Sequence, residues 1–232
     1  MKSQQGLSTN GLVMPTDFPR APYEKIHATL AAKADSQGIY YREHAGAWNA
    51  VSYRFLAATH YSEDFTSTII KHKGSASTEV RYQQERALFG FFTNALSALE
   101  AAFYGIYAIG GLVKPGCFPF TSAKEQQAVN PASTRTIYDK VFPSDPIISV
   151  FDRVLKDGAY QELKQIRNIL AHRSAPGRQI YLQLGNSEPI PEEWKLLNIP
   201  LDDKLTAIRR AALAQLLAEL LQGAQVFADA RF

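Results

Sequence analysis

Arg167, Asn168 and His172 lie close together in the stretch "QELKQIRNILAHRSAPGR", Gln161 to Arg178. A guanidinium presents forked N–H donors to a phosphate and stays charged at any physiological pH. An imidazole, with a reference pKa of about 6.5, takes or gives a proton near neutrality. The two groups together meet two needs of phosphodiester chemistry, charge stabilisation and general acid–base help. They still fall short of a full catalytic set, and a second copy of the same segment across a dimer interface would supply the rest. The window also carries Lys164, Arg173 and Arg178 with Glu162 as its one carboxylate, an excess equal to the whole chain's net charge of +3. An anion-attracting patch is expected here, with Lys164, Arg173 and Arg178 as phosphate-binding candidates. A solvated helix face is the competing reading.

The segment reads as a helix. At about 100° per residue, Leu163, Ile166 and Leu170 cluster on one side with Ile169 on the flank, and define the core face. Arg167, Asn168 and His172 fall on the remaining arc, Asn168 and His172 one turn apart. Pro176-Gly177 ends the helix within a turn of His172 and leaves the imidazole near a terminus, partly exposed.

The elements that must position this helix follow from apolar periodicity. A long helix is expected from Ser77 or Thr78, either able to cap it, through "EVRYQQERALFGFFTNALSALEAAFYGIYAIGGLV", ending by Gly110-Gly111 and Pro115. It is apolar on several sides, so it should be central, or shared between a core and a subunit interface. Its stretch from Ala87 to Val113 could span a bilayer by length, but Asn94, Ser97 and Glu100 interrupt it, and a buried helix with no membrane partner is expected. "KPGCFPFTSAKEQQAVNPAS" reads as a connection, and a broken helical region follows, with Asp145 placed to cap "PIISVFDRVLKDG". "RQIYLQL" alternates like a short strand, "GNSEPIPEEWKLLNIP" reads as loop, and Asp202 or Asp203 opens a last helix. Residues 1 to about 75 read as a separate, mixed extension. It holds a short helix in "APYEKIHATLAAKADSQG", stopped at Gly38, then short strands in "GIYYREH" and "FTSTIIKHKG". The expected fold is mainly α: a bundle of about four helices over residues 76–232, with that extension before it.

"RNILAH", residues 167–172, resembles the R-x4–6-H motif of the HEPN superfamily (higher eukaryotes and prokaryotes nucleotide-binding domains), where the Arg is commonly followed by Asn, Asp or His. The resemblance covers roughly residues 78 to 228. It implies an all-α bundle that dimerises with its motif helices facing each other, and metal-independent endoribonuclease activity in a defence or toxin–antitoxin setting, with an antitoxin partner and no cofactor. On that resemblance His172 would activate the ribose 2′-hydroxyl or protonate the leaving oxygen, Arg167 would hold the scissile phosphate, and Asn168 would orient one of these groups. The acidic residue that such proteins place on an earlier helix would be Glu100, with Glu85 the other possibility. A non-catalytic module that binds a nucleotide, nucleic acid or protein partner is the alternative.

Other chemistry finds little support. His44, His60 and His72 with Glu43, Glu63 and Asp64 lack a metal-ligand spacing, so no metal is expected. "YAIGGLVKPG" lacks the Walker spacing, and no Gly-x-Ser-x-Gly elbow occurs. Trp48, Tyr53, Phe55 and Tyr61 are expected in a small core beneath the N-terminal layer. Cys117 is the one cysteine, which excludes an intrachain disulfide and, with a polar N-terminal arm, points to a reducing, cytoplasmic location. The composition, 46% hydrophobic and 20% charged, is that of a globular chain.

Overall fold

A computed structural model describes residues 11–33, 38–72, 76–179 and 193–232. The chain is mainly helical. Its described elements run α1 (Arg20–Lys33), α2 (Ile39–Lys71), α3 (Thr78–Val113), α4 (Ala123–Ala128), α5 (Pro131–Val141), α6 (Pro146–Lys156), α7 (Gly158–His172), β1 (Arg178–Gln179), β2 (Glu193–Leu196), β3 (Ile199–Pro200) and α8 (Leu205–Asp229).

α3 is the axis of the molecule. Ser77 caps it, its hydroxyl accepting from the Val80 N–H at 3.3 Å, and the helix ends three residues past Gly110. Leu88, Phe91, Phe92, Leu96, Leu99, Phe103 and Ile106 are fully buried on more than one side of it, as an all-round apolar helix requires. α3 and α8 are both long and apolar enough to cross a membrane by length and composition, but the most apolar stretch of α3 is 72% buried inside the protein.

The expected strands "GIYYREH" and "FTSTIIKHKG" are not strands: their described residues lie within α2, a helix of 33 residues, or at its two caps, Gly38 and His72. Aromatic and β-branched content favours strands only where a pleated surface receives it. Here Trp48, Val51, Phe55, Ala58, Ser62 and Phe65 recur at three- and four-residue steps and are buried against the rest of the fold. Gly38 stands at the N-cap of α2 rather than simply stopping α1. Trp48 and Phe55 accordingly belong to the main core, together with α3 and α8, while Tyr53 is 51% exposed. The expected boundary at about residue 75 falls in the connection from α2 to α3, where residues 73–75 lie outside the described set.

α2 runs antiparallel to α3. The Tyr104 hydroxyl donates to Glu43 Oε2 at 2.9 Å, Arg54 Nη1 to the Ser97 carbonyl at 3.1 Å, and Gln84 Nε2 to the Thr68 carbonyl at 3.4 Å. Ser62 and Thr206 tie α2 to α8 through a buried hydroxyl pair at 3.0 Å. α1 is fastened by a reciprocal pair: the Tyr23 hydroxyl donates to the Trp48 carbonyl at 2.9 Å, and Trp48 Nε1 donates to the Tyr23 carbonyl at 3.1 Å.

Six helices, not about four, fall between residues 76 and 229 among those described. The expected connection contains α4, set by a capping box of Ser122 and Glu125, and the broken region resolves into α5 and α6, each with Pro in its first turn. Asp145 caps α6 as expected, its carboxylate accepting from the Ile147 N–H at 3.0 Å. The segment read as loop before the last helix contains β2 and β3, which pair antiparallel through Leu197 and Asn198 at φ 53° and 63°. β1 pairs with β2, and the rest of "RQIYLQL" lies outside the described residues. α8 opens after Asp202, whose Oδ1 accepts from the Lys204 N–H at 3.0 Å.

Candidate functional site

α7 begins at an Asp157 cap, the carboxylate accepting from the Ala159 N–H at 2.7 Å, and ends at His172. Tyr160, Leu163, Ile166 and Ile169 are its buried residues, and Leu170 packs half-buried beside them. Burying such side chains contributes about 1.5–3 kcal/mol each, ample to fix the rotation of a helix of four turns. Two ion pairs refine that position: Glu162 receives Arg209 of α8 at 2.6 Å, and Arg167 reaches Glu100 of α3 at 2.8 Å.

The Arg167–Glu100 pair joins the motif arginine to the acidic residue selected for it, 67 positions earlier in the chain. The Arg167 side chain is 24% exposed and Glu100 39%, so the pair sits at the edge of the core within reach of solvent. Buried Tyr160 stands in the same electrostatic neighbourhood. Its phenol is pushed up to about 12 mainly by burial, with the Glu100 carboxylate adding to the rise and Arg167 opposing it. Arg167 uses one Nη for Glu100, and a guanidinium carries five N–H donors, so the fork is not exhausted by the pair.

His172 ends α7 and is exposed, and Asn168 is half-buried one turn before it. Arg167 turns inward to α3 while His172 faces solvent at the helix end. The two are therefore not gathered at one point within a single chain. Lys164 and Arg173 are exposed on the same element and its cap. Arg178 is placed differently. Its guanidinium lies 3.6 Å from the centre of the Trp194 ring, and its Nη1 donates to Gln84 Oε1 at 2.8 Å. That arrangement spends Arg178 on holding β1 and β2 against α3. Glu85 is half-buried near the start of α3, far along the helix from Glu100.

Glu100 also lines a cleft of about 590 Å³ between α2, α3 and the start of α5. Glu43, Arg54 and Tyr104 supply its polar wall, and Gly46, Ala47, Ala50 and Ala101 its small-residue floor. Burial and the adjacent Glu43 carboxylate push the Tyr104 phenol up, so it remains a proton donor to that carboxylate. Sequence reasoning missed Glu43 and Arg54 as site residues, having placed Glu43 in a strand. The signal was present in the spacing of Glu43, Ala47, Ala50 and Arg54, which share one face of a helix. Among the described residues no cluster of three or more His, Cys, Asp or Glu side chains is placed to hold a metal. No family model, curated protein or solved structure matches the chain.

Proposed function

We propose that this chain is a HEPN-type endoribonuclease that acts as a homodimer without a metal or other cofactor, in the cytoplasm and in a defence or toxin–antitoxin role. The observation that supports the reading is the Arg167–Glu100 ion pair, which joins the motif arginine to the first candidate for the acidic residue on an earlier helix, on a helix that ends at an exposed His172. In the proposed reaction the 2′-oxygen of a ribose forms a bond to the adjacent phosphorus and the bond to the 5′-oxygen breaks. The 2′-hydroxyl proton passes to a base and the leaving oxygen receives a proton. His172 serves one of these transfers and water the other, with Arg167 drawn from the facing helix of the partner copy. Arg167 stabilises the charge that builds on the phosphoryl oxygens, Glu100 positions Arg167, and Asn168 orients the nucleophile or the phosphate. Exposed Lys164 and Arg173 draw the RNA backbone toward the site.

The test is cleavage of a labelled mixed RNA in EDTA, wild type against His172→Ala, with analysis of the product ends. Products ending in 2′,3′-cyclic phosphate, absent with the variant, are expected. Intact RNA, or equal cutting by the variant, overturns the enzyme reading. A non-catalytic binding module then leads. The observation favouring it is that Arg167 is already paired, a contact that can hold α3 and α7 together without any chemistry.

A further inference from the structure

We propose that the cleft between α2 and α3 is a subsite for one unpaired guanine ribonucleotide, with the donor edge of the base on Glu43 and Glu100 and its phosphate on Arg54. The inference rests on the RNA reading for the identity of its ligand. The cleft's own chemistry sets the ligand class.

Glu43 and Arg54 stand on the same face of α2, eleven residues and so roughly 16 Å apart along the helix axis. The antiparallel pairing of α2 with α3 fixes what lies opposite each of them. Tyr104 meets Glu43 at one end, Arg54 reaches the Ser97 carbonyl at the other, and Glu100 falls between. The cleft is therefore bipolar, acidic at one end and through its middle, basic at the far end. Its carboxylates can only accept hydrogen bonds, and each has an oxygen without a partner among the described residues: Glu43 receives Tyr104 on Oε2, and Glu100 receives Arg167 on Oε1. Arg54 commits one Nη to Ser97, which leaves the other N–H groups of its fork for an anion.

A polyanion meets two carboxylates in this cleft, and a polycation meets Arg54. The fitting ligand carries N–H donors at one end and an anion at the other. A volume of about 590 Å³ lies in the range of small-molecule and nucleotide sites and exceeds what a single amino acid fills. The floor of Gly46 and Ala47 keeps side chains out of the way of a flat ring; a Cβ placed on Gly46 would meet nothing within 4 Å. Among the four bases, guanine puts two adjacent N–H donors on its Watson–Crick edge. Cytosine and adenine offer one amino group each, and uracil one N–H between two carbonyls that a carboxylate repels.

The experiment is isothermal titration of the full chain with the 5′-monophosphates of guanosine, adenosine, cytidine and uridine, in EDTA at low salt. GMP should bind at least tenfold more tightly than UMP. Glu43→Gln should remove most of that preference while the Tyr104 hydrogen bond survives on the amide oxygen. Arg54→Ala should weaken all four nucleotides about tenfold without changing their order. Gly46→Leu fills the open floor and should abolish binding with no fall in melting temperature, which separates blockage from misfolding. Four nucleotides that bind alike, no binding at all, or wild-type binding by the Gly46→Leu protein overturns the proposal. A monophosphate holds no internucleotide bond, so the result stands apart from cleavage. GMP bound with RNA left whole removes the nuclease reading and keeps the subsite, and RNA cut with GMP unbound removes the subsite alone.

Discussion

Arg167 carries two tasks, one structural and one proposed, and they respond differently to substitution. As half of an edge-of-core pair with Glu100 it contributes about 0.5–1 kcal/mol, since partial exposure screens it. As a phosphate ligand it depends on the planar fork. Arg167→Lys keeps a cation for Glu100 and loses the fork, so RNA cleavage should drop on the order of 100-fold while urea unfolding shifts by less than about 1 kcal/mol. A large stability loss with cleavage intact would assign Arg167 to structure alone. His44 makes a second, independent case. It is 1% exposed, its Nδ1 lies 3.2 Å from the Gly105 carbonyl, and its Nε2 has no partner among the described residues. A carbonyl only accepts, so the neutral ring donates from Nδ1. Burial pushes the imidazole down to about 4, the Gly105 carbonyl opposing and nearby His27 assisting. Between pH 6.5 and 4 the unfolded chain therefore binds a proton that the folded chain refuses. Stability contributed by the neutral ring is complete above 6.5, falls as pH drops through that window, and levels off below 4. The loss amounts to about 3 kcal/mol, at 1.36 kcal/mol per unit. Urea unfolding at pH 7.5, 6, 5 and 4 should show it, and His44→Gln should flatten the profile; a wild-type stability level from pH 7.5 to 4.5 would contradict the assignment. The buried, neutral state of His44 was not legible in the sequence, because a histidine amid aromatic residues reads alike in a strand and on a buried helix face.

At the scale of elements, α3 and α7 were legible and α2 was not, for one physical reason. α3 and α7 announce both ends locally: Ser77 caps one, Pro-Gly stops lie near or just past the other, and the apolar face repeats without break. α2 has no side-chain cap, and its aromatic ends look like strands until the apolar repeat is followed through its whole length. The β2–β3 pair was hidden likewise, since Leu197-Asn198 lacks the Asn-Gly or Asp-Gly signature of its turn. Tertiary packing also sets residue choices on α3 that helix propensity opposes. A Cβ at Gly110 would stand 2.4 Å from Cζ of the buried Phe118 ring, and one at Gly111 would stand 2.2 Å from Cε1 of Tyr40. Those rings hydrogen-bond or pack with the α3–α4 connection, the Tyr40 hydroxyl donating to the Phe118 carbonyl at 2.8 Å, so neither ring can yield cheaply. Gly110→Ala should thus destabilise by about 1–3 kcal/mol despite the gain in helix propensity. Gly46→Ala, on an open face of α2, should stabilise by up to about 1 kcal/mol. A melting temperature for Gly110→Ala that rises alongside that of Gly46→Ala would show that packing at Gly110 is looser than the ring distances require.

For the whole molecule, the geometry of α7 sets a condition on the proposed nuclease activity. Residues 167 and 172 are separated by five steps of about 100°, which places their side chains roughly 140° apart around the helix. Arg167 is drawn to Glu100 on α3, and His172 points into solvent at the end of the same helix. Within one chain the two groups lie on different sides of α7 while the Arg167–Glu100 pair holds. In the proposed dimer, a two-fold axis through facing α7 helices brings each His172 to the Arg167 side of its mate. Light scattering should accordingly report a dimer at working concentration. The sharper measurement mixes two inactive proteins, Arg167→Ala and His172→Ala, after allowing subunits to exchange. Random exchange makes about half of the dimers mixed. With sites shared between chains, each mixed dimer has one site whose Arg167 and His172 are both intact and one that lacks both, so the mixture should recover about a quarter of wild-type activity. With each site built inside one chain, every site in every dimer still lacks a residue and activity should stay at the level of the separate variants. Recovery in proportion to the mixed-dimer fraction would support the shared site. Its absence, in a mixture shown by mass spectrometry to have exchanged, would require Arg167 to leave Glu100 and swing toward its own His172.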